Sequence, residues 1–169
     1  MTGADFSGKG LESFCAIGSR FEGCSFSRVK IGSAVWGGGR KRSTYLDCSF
    51  DGAKFRSIVP GNARFENCKF RDVRIYEFLA HDVELVNCVY SGRIDRGFLN
   101  RTRHRQGRSF FSRRRNQIVN NDFSGCDLVD FTFRGGVDVT LQKLPSGPKD
   151  LYLADASSAL ERATRRVQA

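Results

Sequence analysis

The sequence predicts an all-β solenoid. Three features point there: a five-residue beat of bulky apolar residues, a small residue two positions before most of them, and polar, glycine-bearing stretches between. Phe6, Leu11, Phe21, Phe26, Ile31 and Trp36 share one register of five, with Ala16 in the remaining slot. A second register carries Tyr45, Phe50, Phe55, Phe65, Phe70, Ile75, Leu85 and Tyr90, and a third carries Phe123, Leu128 and Phe133. A helix repeats every 3.6 residues and a flat strand every 2, so neither produces this beat. Short fixed periods mark stacked repeats.

Each pentad has its own logic. Alternate residues of an extended segment point the same way, so a small residue two before the large one also faces inward. Ala4, Cys24, Val29, Cys48, Ala53, Ala63, Cys68 and Val73 hold that slot. The remaining positions face solvent. Gly follows two residues after Phe6, Phe21, Phe50, Tyr90 and Phe123, where it supplies the positive φ of a tight corner.

The pentads Ala4-Asp5-Phe6-Ser7-Gly8, Cys24-Ser25-Phe26, Cys68-Lys69-Phe70, Val83-Glu84-Leu85 and Cys126-Asp127-Leu128 resemble the pentapeptide-repeat family over residues 4–92 and 121–135. The resemblance implies a right-handed quadrilateral β-helix with four pentads per coil, here about five coils. Cys48, Cys68 and Cys88 are spaced by one such coil, as are Phe50, Phe70 and Tyr90. They are expected to stack as a sulfur ladder beside an aromatic ladder, with coils about 4.8 Å apart. On another face Ile58 with Pro60 gives way to Phe78 with Ala80, keeping total volume.

Two faults in phase interrupt the coil. Trp36 to Tyr45 is one residue short of two repeats, across Gly37-Gly38-Gly39-Arg40-Lys41-Arg42, so an interruption is expected at 37–44. The second is an insertion at 93–118. It carries nine arginines against one acid, Asp95, and so holds most of the net charge of +10. A loop with Arg101, Arg103, Arg105, Arg108, Arg113, Arg114 and Arg115 around Phe110 and Phe111 suits an anionic partner. Guanidinium forks grip phosphate or carboxylate bidentately, and aromatics stack on exposed bases. A solvated loop, or one packing Phe98, Phe110 and Phe111 onto the coil, is the alternative. Arg40, Lys41 and Arg42 join the candidate surface.

After Phe133 the repeat fades. Val137, Val139 and Leu141 alternate like a last strand, and Pro145-Ser146-Gly147-Pro148 breaks the chain. The domain therefore spans 1–144, with 145–169 as linker and helix. Leu153, Ala156, Leu160, Ala163 and Val167 make an apolar stripe at helical spacing. That helix is expected to cover the last coil; the alternative is a homodimer contact, which the resemblance implies. The amino end carries no comparable cap.

The 169 residues suit one domain and contain no run long enough to span a membrane; no leader is expected before the first repeat, and a cytoplasmic setting is expected. Five of the six cysteines fall in the small inward slot, which reads as buried small hydrophobes rather than metal ligands. His81 and His104 belong to no triad or metal motif, so no enzyme, cofactor or small-molecule ligand is expected. The functional reading is a rigid, non-catalytic rod presenting the Arg/Phe segment to nucleic acid or an acidic protein face. The resemblance implies an alternative, topoisomerase protection by DNA mimicry, against which the near-neutral coil stands. A structural subunit or adaptor of a larger complex is the third reading.

Overall fold

The structure, a computed structural model, describes residues 1–101 and 116–150. In chain order these residues form β1 (Gly10–Cys15), β2 (Arg20–Glu22), β3 (Lys30–Val35), β4 (Ser43–Leu46), β5 (Lys54–Val59), β6 (Ala63–Glu66), β7 (Lys69–Ile75), β8 (Phe78–Ala80), β9 (Glu84–Val86), β10 (Val89–Asn100), β11 (Ile118–Val119) and β12 (Asp122–Arg134). A long sheet runs β1-β3-β5-β7-β10-β12, with β8 beside β5 and β10, and a short sheet runs β2-β4-β6-β9-β11. Every strand pairing is parallel, as a chain winding in one direction requires. The molecule is a parallel β-solenoid of about four turns. About four turns is slightly fewer than the five coils expected. The last expected coil is broken where the chain leaves it at Arg101 and rejoins it at Asn116.

The inward slots build the core. Rings stack face to face from Phe6 to Phe26 (4.8 Å), Phe50 (4.9 Å), Phe70 (4.5 Å), Tyr90 (4.6 Å) and Phe123 (4.5 Å). A second stack joins Phe21, Tyr45 and Phe65 at 5.0 and 4.5 Å. These separations match the spacing of neighbouring strands. Each stacked pair adds about 0.5–1.5 kcal/mol beyond its burial. Trp36 meets five rings edge-on, among them Tyr45 and Phe50, and its carbonyl accepts the Tyr45 hydroxyl at 2.8 Å. Ile58 pairs with Phe78 in register, with Pro60 and Ala80 buried behind them.

Cys24, Cys48, Cys68, Cys88 and Cys126 are buried free thiols, while Cys15 is exposed. The Cys68 and Cys88 thiols donate to the Tyr45 and Phe65 carbonyls of the preceding coil. Bonding to Cys68 and then burial push the Cys48 thiol far up, and burial pushes Cys126 up to about 12. Cys48 and Cys126 therefore stay protonated, and the inward cysteines pack as small apolar groups.

Corners are made by two chemistries. Gly8, Gly23, Gly52 and Gly92 take positive φ as expected. A column of Asp47, Asn67, Asn87 and Asn120 does so too, at φ 53 to 55°, as short polar side chains tolerate. Each of these four donates its N–H to the next coil. Gly125 departs from the expectation. It lies inside β12, where a Cβ would come within 2.8 Å of the Ser91 Cβ. It serves close approach rather than a turn.

Both phase faults need redrawing. Phe21 pairs with Tyr45, whereas Tyr45 pairs with Phe65 and Phe65 with Leu85. The offset of 24 against 20 means that one corner has gained four residues, rather than a pair of repeats losing one. The interruption ends at Arg42, because Ser43 already belongs to β4. The expected insertion at 93–118 shrinks as well. Arg93–Asn100 complete β10, with Ile94, Phe98 and Leu99 buried, and Ile118 opens β11.

The last strand expected at Val137–Leu141 is instead a 3-10 turn, Val139–Leu141, the one helical piece among the described residues. Asp138 causes this by accepting both the Thr140 N–H (3.0 Å) and its hydroxyl (2.6 Å). The turn delivers Gln142 onto Asn121, whose side-chain amide also serves the Cys88 N–H and the Leu85 carbonyl. A buried amide pair thus replaces ladder bonds at the final coil. Among the described residues no helix is long and apolar enough to cross a membrane.

Candidate functional site: a basic groove on the long sheet

Of the residues singled out in the sequence, Arg103, Arg105, Arg108, Phe110, Phe111, Arg113, Arg114 and Arg115 lie outside the described residues. So does the helical stripe of Leu153, Ala156, Leu160, Ala163 and Val167. The ladder residues Cys48, Cys68, Cys88, Phe50, Phe70 and Tyr90 are all buried in the core. Arg40 and Lys41 are exposed.

Two candidate anion contacts are occupied by the protein itself. Arg101 donates to the Gly136 carbonyl at 3.1 Å. Arg42 pairs with Glu84 and donates to the Asn62 side chain at 3.3 Å. The physical reason is shared. Both residues sit at one edge of the rod, where the chain passes from long sheet to short sheet, and their side chains bond groups at that edge or on the short sheet. Both phase faults fall on this edge. The second is closed at its neck by the Asn116 N–H donating to the Arg101 carbonyl at 3.0 Å and the Asn116 side-chain amide reaching the Asn100 carbonyl.

Glu84 is the charged centre of the short sheet. Arg64 reaches it at 2.8 Å, as well as Glu66 at 2.9 Å and Gln117 at 2.6 Å. Burial alone would raise the Glu84 carboxyl, but Arg42 and Arg64 outweigh it and hold the group below the usual carboxylate range. A depressed folded-state pKa contributes stability above the unfolded value, lost as pH falls through the folded one. Glu84→Gln is therefore expected to lower the melting temperature most above about pH 5, with the gap from wild type narrowing toward about pH 3. Thermal melts across that range check it; a constant gap would assign Glu84 a purely steric role.

The sequence reading missed the outward face of the long sheet. Lys30, Lys54, Arg74 and Arg93 are consecutive register partners, one on each of β3, β5, β7 and β10. Strand spacing puts them in a file about 4.8 Å apart. Arg93 is engaged by Asp95 and Asp127. Lys30, Lys54 and Arg74 are exposed and make no ion pair among the described residues, nor does Arg56 beside them. The parallel column two residues on holds Glu12, Gly32, Arg56 and Tyr76. Between the two columns runs an open groove of about 610 Å³. Gly32 keeps it clear, since a Cβ there would come within 2.6 Å of the Glu12 carbonyl oxygen. Tyr76 closes one end of the groove. Its ring is half exposed, with the Arg96 guanidinium 4.5 Å from its centre.

The signal for this face was in the pentads. Val29-Lys30-Ile31, Ala53-Lys54-Phe55 and Val73-Arg74-Ile75 put a cation in the middle slot on one side of successive coils. Counting charge over the whole coil averaged it against acids on other faces. These features define a parallel β-solenoid with a face on which Lys30, Lys54, Arg56 and Arg74 make no ion pair among the described residues. The chain matches no protein-family model, no curated protein and no solved structure.

Proposed function

We propose that this is a pentapeptide-repeat rod, right-handed and four-sided as the resemblance implies, acting as a non-catalytic module that binds an anionic partner. The observation that carries the reading is the file Lys30, Lys54 and Arg74 with Arg56 beside it, four exposed cations that make no ion pair among the described residues. Like charges held one strand apart repel; an anion laid along them relieves that repulsion and gains complementarity on a preorganised surface. The Arg-rich segment adds to the same attraction at longer range. Six free thiols suit a reducing, cytoplasmic setting. DNA mimicry is the weaker reading, because the short-sheet acids Glu22, Glu66 and Glu84 are each tied to an arginine.

The test is elution from an immobilised polyanion along a salt gradient. The variant Lys30→Glu/Lys54→Glu/Arg74→Glu is compared with Arg20→Glu/Lys69→Glu/Lys149→Glu, which changes net charge equally away from this file. The first is expected to elute at clearly lower salt than the second. Equal elution would mean that total charge, not this face, does the binding.

A further inference from the structure

We infer that the groove on the long sheet takes a single-stranded nucleic acid, with its phosphates along Lys30, Lys54 and Arg74 and a base stacked on Tyr76. This rests on the anionic-partner reading above and names the partner's class. A file of cations one residue wide follows one backbone. The second backbone of a duplex would lie over flanks where carboxylates already face the nearest arginines. On one side Asp51 already holds Arg71 at 3.8 Å. On the other, Glu77 accepts the Ser57 hydroxyl at 3.0 Å and lies 4.0 Å from Arg96, and Glu12 stands in the groove's own second column, at the end away from Tyr76.

The aromatic end of the groove separates nucleic acid from an acidic peptide. Carboxylates need cations alone, whereas an unpaired base presents a flat π surface. Tyr76 offers an outward ring backed on one side by the Arg96 guanidinium, and other tyrosines at this depth of the rod are core residues: Tyr45 and Tyr90 are almost fully buried. An exposed aromatic next to unpaired cations is the combination that single-strand binders use. A base within a duplex is already stacked and cannot reach the ring. Gly32 adds no side chain to the groove, and Arg56 stands between it and Tyr76 as a further cation for the strand.

The experiment is fluorescence anisotropy on the full chain, with a labelled oligothymidylate, the matching duplex and labelled polyglutamate as probes. The single strand is expected to bind tightest. Lys54→Ala/Arg74→Ala should flatten the slope of log affinity against log salt by about 1.4, two single-strand phosphate contacts. Tyr76→Ala should weaken binding about tenfold with the slope unchanged, and Tyr76→Phe should retain wild-type affinity. Duplex or polyglutamate binding as tightly as the single strand, or Tyr76→Ala binding like wild type, overturns the inference. If polyglutamate alone binds, the inference fails while the anionic-partner reading stands; if none of the three binds, both fail.

Discussion

Phe50→Ala is expected to cost about 3–5 kcal/mol of stability, a large share of the roughly 5–15 kcal/mol that holds a typical domain together. Phe50 is fully buried in mid-rod. Its ring is sandwiched between Phe26 and Phe70 and touched edge-on by Trp36 and Phe65. Truncation removes contacts on both sides at once, and the coils cannot close the gap without breaking the strand register around Phe50. Phe6 has the same slot on the first coil but stacks on one side only, and is only partly buried. Phe6→Ala is therefore expected to cost well under half as much. Chemical denaturation of both variants checks the pair. Because each coil contacts only its neighbours, hydrogen exchange in Phe50→Ala should rise most in the coils flanking it. Equal costs for the two variants would show that the stack does not couple the coils.

The second large effect is expected at Gly61. This residue has φ +59°, and a Cβ there would lie 2.1 Å from the Gly37 carbonyl oxygen. Gly37 in turn has no room for a Cβ, which would meet the Asn62 carbonyl oxygen at 2.4 Å. The obstacles are backbone atoms, so no side-chain rotation relieves them. Gly8 is the internal comparison, with a similar φ of +72° and nothing within 4 Å. Gly8→Ala should cost only the left-handed strain of about 1–2 kcal/mol. Gly61→Ala should add overpacking of about 1–3 kcal/mol to the same strain. Melting curves of the two variants separate the terms; equal losses would mean that the contact between the Gly37 and Gly61 segments is easily given up.

The core was legible because its rule is local. One large and one small side chain per pentad must fill the interior, so Phe50, Phe70, Tyr90 and the cysteines before them announce themselves by spacing alone. Corner glycines at 8, 23, 52 and 92 were legible for the same reason. Gly125 was not, because its role is set by Ser91 on the neighbouring coil. The 3-10 turn was hidden because Val137, Val139 and Leu141 alternate like a strand, while the deciding bond, Asp138 to Thr140, competes with the ladder through a side chain.

The site was harder to read. Arg42 and Arg101 carry the charge expected of anion contacts, but charge in sequence does not say whether a carboxylate or carbonyl waits across the corner. Glu84 is 42 residues from Arg42, and Gly136 is 35 from Arg101. Lys30, Lys54 and Arg74 escaped notice for the converse reason. They are scattered along the chain at intervals of 24 and 20, and only the winding of the solenoid lines them up.

The edge between the two sheets has a consequence for how such a chain changes over generations. Four extra residues at 37–42, and the longer excursion between Arg101 and Asn116, both enter at this corner, and the coils beyond each resume their stacking. A single residue added within a strand would turn every following side chain inside out. A whole loop added at this corner leaves the lattice as it was. The rod can therefore acquire new surface at one edge while its interior is inherited unaltered, and relatives of this protein are expected to differ most in length there.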